Sequence, residues 1–266
     1  MTLPIPFRSA GKVWIEAEVA ELTGGCLADA RKAADQGDPY GAMLALLVGG
    51  VSRIVDDAGA VETDRGRIRA VCREMPWMDG EVLIVHTFLE SGGTDEIEGA
   101  YSCPRCGRQI VCEGENADHI LELPVASAEL DSKITHELAR PVVVTNLLDG
   151  STMVEVVSVV LRRATMADCI KAFQKVGLSD TARFQFALYG ETVQAVGGVD
   201  VDAKWRNQWG REVFERMGAG DINALTSEER RVGIQTRVSK ICSGCGKTWG
   251  VDIQTMSFFA SGLRRR

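Results

Sequence analysis

Four of the eight cysteines in the sequence occur as two short pairs that have the spacing of metal ligands. Cys103 and Cys106 lie in Cys-Pro-Arg-Cys-Gly, and Cys242 and Cys245 lie in Cys-Ser-Gly-Cys-Gly. The two-residue spacer lets both thiolates reach one tetrahedral ion, and the glycine that follows permits the left-handed turn of a zinc-ribbon hairpin. Because one pair supplies only half of a tetrahedral site, the sequence predicts one structural Zn²⁺ bound by all four cysteines.

Three other interpretations of these pairs stay open at this point. A local site could use Cys103, Cys106, Cys112 and His119 and leave the second pair without a role. A thioredoxin-like redox role needs a pair at the start of a helix, whereas glycine and extended residues follow both pairs. In the last interpretation neither pair binds metal. The cysteines outside the pairs lie among apolar neighbours and are predicted to be small buried core residues: Cys26, Cys72, Cys112 and Cys169.

The remaining residues that could perform acid–base or nucleophilic chemistry form no catalytic pattern. The three histidines are not paired at metal-binding spacing, and the sequence has no phosphate-binding loop, dinucleotide fingerprint or hydrolase elbow. His86 lies in an apolar run and is predicted to be a core residue, and Asp200 with Asp202 is predicted to cap a following helix. We therefore expect a protein that is not an enzyme and binds no small-molecule substrate.

Two features are candidates for binding a partner. Arg65, Arg69 and Arg73 are spaced to share one face of a helix, where they could meet an acidic protein or nucleic acid or simply be solvated. Phe258 and Phe259 precede a terminal run of three arginines, an arrangement typical of a tail that docks into a neighbour or folds back on its own chain.

Composition limits the class of protein. The chain of 266 residues has 45% hydrophobic residues, 25% charged residues and a net charge of -7. These values indicate a folded globular protein of about two units and argue against general binding of nucleic acid. No apolar stretch is long enough to span a membrane and no secretory signal is readable, so we expect a cytoplasmic setting.

Periodicity and capping signals predict a mixture of strands and helices. The sequence predicts a strand over 12–19, then helices over 27–35, 40–55, from a cap at Thr63 to Met75, and over 79–89. It then predicts a hairpin over 141–163 and helices over 166–175, 180–196, 203–217 and from Leu225 onwards. Extended residues flank both cysteine pairs.

The order of these elements suggests an internal repeat. Leu27–Ala33 matches Met166–Ala172 at four of seven positions with an offset of 139, and the two cysteine pairs have the same offset. The expected fold is therefore α+β, with two repeated, mostly helical units and short β-hairpins joined by a four-cysteine zinc ribbon. The predicted segments are a first helical repeat, a first zinc knuckle with its connector, a second helical repeat, and a second knuckle with a tail: 1–102, 103–135, 136–237 and 238–266.

In outline the sequence resembles the baseplate hub proteins of contractile-tailed bacteriophages. The resemblance rests on the proline-bearing N-terminus, Asp64-Arg65 at the start of a helix, the Cys-Pro-x-Cys knuckle, a second such half, and Phe258-Phe259 near the end. The opening, with Glu21-Leu22-Thr23-Gly24, is also similar to the start of phage tail assembly chaperones.

The resemblance implies a function in binding rather than in chemistry. It implies a small zinc-clasped component of a phage tail baseplate hub that binds other tail proteins, is made in the host cytoplasm and enters the virion. It carries over the four paired cysteines as metal ligands and the two phenylalanines as a docking element. The alternatives are a transient tail assembly chaperone that is absent from the mature particle and a zinc-ribbon protein that binds nucleic acid.

Overall fold

A computed structural model describes residues 1–145, 153–177, 181–202 and 212–252 of the chain. The α-helices that lie within these residues are α1 (Gly24–Asp35), α2 (Pro39–Gly50), α3 (Arg65–Glu74), α4 (Trp77–Glu90), α5 (Met166–Val176), α6 (Thr181–Thr192) and α7 (Ala219–Glu229). The strands are β1 (Thr2–Ser9), β2 (Lys12–Val19), β3 (Val51–Asp56), β4 (Val61–Glu62), β5 (Glu96–Ile97), β6 (Gly99–Ser102), β7 (Gln109–Cys112), β8 (Asp118–His119), β9 (Val125–Ala126), β10 (Lys133–Thr145), β11 (Met153–Arg162), β12 (Val193–Val196), β13 (Val199–Asp200), β14 (Gly233–Ile234), β15 (Arg237–Ile241) and β16 (Thr248–Asp252).

The first half of the chain is built on an antiparallel sheet with the strand order β1-β2-β3-β4. The sequence did not predict β1, which contains Pro4 and Pro6. Proline cannot donate a ladder hydrogen bond, but β1 lies at the edge of the sheet, where that loss is tolerated. A two-residue turn, in which Ala10 and Gly11 both have positive φ, joins β1 to the predicted strand β2.

Two helices connect the second strand of this sheet to the third. Thr23 accepts a hydrogen bond from the Cys26 amide at the start of α1, and Asp38 caps α2 with Pro39 in its first turn. The prediction that α2 continues to residue 55 is wrong. The helix ends at Gly50, and the β-branched residues that follow it form β3.

The helices α3 and α4 follow the sheet. The N-cap of α3 is Asp64, which accepts a hydrogen bond from the Arg67 amide, and not the predicted Thr63. Pro76 separates α3 from α4 as predicted, and α4 begins at Trp77. Within the described residues no helix is both long enough and apolar enough to cross a membrane.

The second half is built on a sheet with the order β10-β11-β12-β13, and α5 and α6 connect its second strand to its third. The predicted hairpin is confirmed as β10 and β11, although β10 begins earlier, at Lys133. The prediction of one helix over 180–196 is wrong at its end, because the valine-rich segment 193–196 pairs with β11 as β12. The capping start predicted at Leu225 is also wrong, since α7 already begins at Ala219. Most of the predicted helix over 203–217 lies outside the described residues.

The α+β class is confirmed, but the description "mostly helical" is wrong, because the described residues contain almost as much strand as helix. The apolar residues form two main cores. One core lies between α2, α4 and the first sheet and includes Leu47 and Leu83, and it also takes in Met166 and Ile170 from α5. The other lies between the second sheet and residues such as Phe214 and Leu225. Helix α5 therefore belongs to the second half in sequence and to the first core in packing.

The start of α5 is fixed by a buried ion pair and a capping box. Asp168 is 2% exposed, and its carboxylate accepts hydrogen bonds from the Arg162 guanidinium at 2.5 and 2.8 Å. The same carboxylate accepts a hydrogen bond from the Thr165 amide, while the Thr165 hydroxyl accepts a hydrogen bond from the Asp168 amide. Burial raises the pKa of Asp168, but Arg162 and Thr165 outweigh it and hold this pKa below its usual value.

Replacing Asp168 with asparagine should destabilise the protein at neutral pH. The substitution keeps the shape of the side chain and leaves the Arg162 charge without its partner, so we expect a loss of about 3 kcal/mol in urea unfolding at pH 7. The matched control is Asp29→Asn in the Leu27–Ala33 motif, because Asp29 occupies the same position and is exposed. The control should change stability by about 0.5 kcal/mol or less.

The difference between wild type and Asp168→Asn should depend on pH in a defined direction. Since the folded-state pKa of Asp168 is lowered, its ionised form contributes stability above the unfolded value of about 3.9, and this contribution is lost as the pH falls through the folded value. The two unfolding curves should therefore converge on acidification. A difference that stays constant from pH 7 to pH 3 would contradict this assignment.

Candidate metal centre

Each cysteine pair lies in the turn of a short antiparallel hairpin. Strands β6 and β7 flank the first pair, and β15 and β16 flank the second. In the first turn the Cys103 amide donates to the Arg108 carbonyl at 2.9 Å, and the equivalent amide of Cys242 donates to the Lys247 carbonyl at 2.9 Å. The two turns thus have the same hydrogen-bond pattern, as the shared Cys-x-x-Cys-Gly sequence predicts.

Glycine is required immediately after each pair. Gly107 has φ of +72° and Gly246 has φ of +68°, which is the left-handed region that side chains with a Cβ rarely adopt. Their amides donate to the carbonyls of Cys103 and Cys242 at 2.9 and 2.8 Å. These bonds close each turn and direct both cysteines of the pair to the same side.

The structure brings the four paired thiols together at one point. The Sγ atoms of Cys103, Cys106, Cys242 and Cys245 all lie within 4.8 Å of one another. The Sγ of Cys103 is 3.7 Å from that of Cys245, and the Sγ of Cys106 is 3.6 Å from that of Cys242. Sulfur atoms that are each about 2.3 Å from one tetrahedral ion are about 3.8 Å apart, whereas disulfide sulfurs are about 2.05 Å apart. The spacing therefore fits four ligands of one metal ion.

The thiols of the cluster ionise unequally. The Gly244 amide donates to the Sγ of Cys242 at 3.4 Å and is the main reason that the pKa of Cys242 falls to about 6. Burial opposes the ionisation of Cys103, but the amides of its own turn hold its pKa below the usual value. The Lys247 amide lowers the pKa of Cys245, yet burial and three neighbouring sulfurs outweigh it and raise this pKa to about 12. Four thiolates this close need a cation between them.

The two hairpins also contact each other beside the thiols. Lys240 on β15 reaches the first half, where its Nζ lies 2.5 and 2.6 Å from the two carboxylate oxygens of Asp118. The same ammonium group lies 5.4 Å from the centre of the Tyr101 ring on β6. Arg108 lies so close to Gly244 that a Cβ there would be 3.0 Å from the Arg108 Cδ. Neither Lys240 nor Asp118 was identified from the sequence, which contains no signal for this contact.

The local four-ligand alternative does not form. Cys112 is buried on β7 outside the thiol cluster, and His119 Nδ1 hydrogen-bonds with Asp95 Oδ2 at 3.1 Å. In the described part of the chain the four-thiol cluster contains neither residue. Of the other predicted core thiols, Cys72 and Cys169 are buried and have raised pKa values, and Cys26 is half-buried.

The predicted arginine row is exposed, but its members differ in their contacts. The Arg65 guanidinium donates to the carbonyls of Val51 at 2.5 Å and Val48 at 3.2 Å, and so satisfies backbone acceptors at the end of α2. Arg69 and Arg73 are exposed on α3. Arg65 therefore has a structural partner, while Arg69 and Arg73 present charge to the surroundings.

The other candidate residues lie away from the thiol cluster. His86 is half-buried on α4, and burial lowers its pKa, consistent with a packed residue. Asp200 and Asp202 are exposed, and the helix that they were predicted to cap lies largely outside the described residues. Phe258 and Phe259 also lie outside the described residues.

Serine substitutions distinguish the shared centre from the local one. Cys242→Ser should damage the protein as severely as Cys103→Ser, with loss of bound metal and a fall in melting temperature of about 10 °C or more, because each removes one of four ligands. Cys112→Ser is the control and should keep the metal. Metal retention by Cys242→Ser together with metal loss by Cys112→Ser would favour the local centre instead.

Comparisons of the chain with protein-family models, curated protein sequences and solved structures give no match.

Proposed function

We propose that the protein is a non-catalytic structural component whose two halves are held together by one structural Zn²⁺. The observation that carries this proposal is the convergence of four Sγ atoms from two hairpins that are 139 residues apart in sequence. Four thiolates fill a tetrahedral coordination sphere and leave no position for water or substrate, which is characteristic of structural rather than catalytic zinc.

The chemistry of the donor set favours zinc over the common divalent cations of the cytoplasm. Four thiolates are soft ligands, whereas calcium and magnesium require oxygen ligands. The tetrahedral sulfur set would also suit iron, and elemental analysis distinguishes the two metals. In either case the bound ion would offset the mutual repulsion of the thiolates.

The proposal includes an origin of the two halves by duplication. The offset of 139 that relates the cysteine pairs also places β6 within β15 and β7 within β16, each of which is one residue longer than its counterpart. The first cysteine of each hairpin meets the second cysteine of the other, which is the reciprocal contact that two-fold symmetry produces. Both main sheets have the same strand order, with two helices between the second strand and the third. The division into four segments stays a prediction.

In the proposed biological role, the protein binds other proteins at the baseplate hub of a contractile phage tail. The support is the resemblance of its N-terminus, knuckles and terminal phenylalanines to that family. In this role it is made in the host cytoplasm and becomes part of the virion. Arg69 and Arg73, together with Phe258 and Phe259, are the candidate contacts for its partners.

Elemental analysis of the purified protein should find one zinc per chain. Structural zinc contributes about 10 to 16 kcal/mol in small zinc-binding peptides, so chelation should loosen both halves in one cooperative transition seen by circular dichroism and proteolysis. Readdition of zinc should restore the fold. A content of no metal, of two ions per chain, or of iron alone would contradict the zinc proposal.

The proposed role in the phage tail can be tested by the protein composition of purified particles. Mass spectrometry of purified tail particles should detect the protein in the baseplate fraction at a fixed ratio to the other baseplate proteins. Its presence in assembly intermediates together with its absence from the mature particle would instead indicate an assembly chaperone.

A further inference from the structure

The second hairpin is attached to the first half by a polar contact that is largely hidden from solvent. The Lys240 side chain is 12% exposed and the Asp118 side chain is 19% exposed, and the ammonium group lies between both carboxylate oxygens of Asp118. The face of Tyr101 and the thiol of Cys112 complete the surroundings of Lys240. The ammonium group thus contacts β6, β7 and β8 at once.

The position of this contact relates it directly to the thiol cluster. Lys240 lies two residues before Cys242, and Tyr101 lies two residues before Cys103, so the two side chains that meet occupy equivalent positions in the two hairpins. Residues two apart on a strand lie on the same face. A hairpin held at Lys240 is therefore also oriented at its first cysteine.

The other residues on this face of β15 strengthen the attachment. Lys240 alternates with exposed neighbours, and Val238 on the same face packs against the first core. By contrast, Lys247 follows the second cysteine pair, is exposed, and has no ion-pair partner among the described residues. The hairpin thus carries one lysine that joins the two halves and one that does not.

We propose that Lys240 is a positioning residue for the metal centre. Through Asp118 it holds β15 and β16 against the first hairpin in the orientation in which the four Sγ atoms converge. This inference rests on the proposed zinc site of the four paired cysteines, and it assigns a role at that site to a residue that is not a ligand. The attraction between the Lys240 ammonium and the Asp118 carboxylate offsets the cost of removing both charges from water. Removing either charge leaves the other without compensation and so disturbs the contact.

The test is the zinc affinity of Lys240→Met, measured by competition with a chromophoric chelator under conditions where circular dichroism shows that the protein is folded. Loss of a group that hydrogen-bonds to a metal ligand typically weakens metal affinity by about 10- to 100-fold, and because Lys240 acts through the hairpin and not through a thiolate, we expect a loss of about tenfold. Lys247→Met is the matched control, since Lys247 is also a lysine two residues away from a ligand cysteine. We expect it to bind zinc within about threefold of wild type.

A second readout separates orientation from general stability. Tetrahedral thiolate coordination of Co²⁺ gives strong visible absorption, and this band should be weaker or altered in Lys240→Met at saturating Co²⁺ but unchanged in Lys247→Met. Should Lys240→Met not fold, Asp118→Asn removes the same ion pair with little change of shape and is predicted to have the same effects. The exchanged pair Lys240→Asp with Asp118→Lys should recover part of the lost affinity.

The outcomes distinguish this inference from the proposal on which it rests. If wild type binds one zinc and both Lys240→Met and Asp118→Asn bind it with wild-type affinity, the positioning role of Lys240 is wrong, while the proposed zinc site of four cysteines is unaffected. An equal loss of zinc affinity in Lys247→Met would also overturn the positioning role, because the loss of any positive charge near the cysteines would then have the same effect. If wild type binds no metal, the proposed structural Zn²⁺ between the two halves is contradicted.

Discussion

The arrangement of the protein depends on the convergence of four thiols that repel one another when ionised. Sulfur atoms separated by 3.6 to 3.7 Å across two hairpins cannot all carry charge without a cation between them, and the neighbouring sulfurs accordingly help to raise the pKa of Cys245. The turns, their glycines and the contact of Lys240 with Asp118 bring the sulfurs together, and a metal ion would make the arrangement stable. Because the hairpins come from different halves of the chain, this local requirement fixes the relation of the halves.

The halves are also joined by packing. Helix α5 begins beside the second sheet, where Arg162 and Asp168 fix its first turn, and it then places Met166 and Ile170 in the first core. The matched motif in α1 leaves Asp29 exposed. The two matched motifs thus differ in their surroundings: α1 places Ala30 in the core of its own half, whereas α5 places Met166 and Ile170 in the core of the other half. A metal ion at one place and apolar packing at another would hold the two halves in a fixed relation.

Local sequence signals identified most of the elements but not all of their ends. Strand β2, helix α1 and the helix cap at Thr165 follow from alternation, helix propensity and capping residues. The helices predicted to run on through residues 51–55 and 193–196 were too long, because apolar valine-rich segments suit a buried helix and a buried strand equally well. Pairing with β2 and with β11 decided in favour of strands. Strand β1 was missed because its prolines weigh against a strand unless its place at the edge of the sheet is known.

The sequence by itself determined the two cysteine pairs and the form of their turns. Cysteine chemistry, the two-residue spacer and the following glycine are local properties, and they were sufficient to predict two matching turns and to favour the shared set of four thiols over a local set. Only the tertiary structure decided that Cys112 and His119 lie outside that set, that Arg65 bonds to the end of α2, and that Lys240 meets Asp118. These outcomes depend on which distant strands and helices pack together, and no local pattern of residue types contains that information.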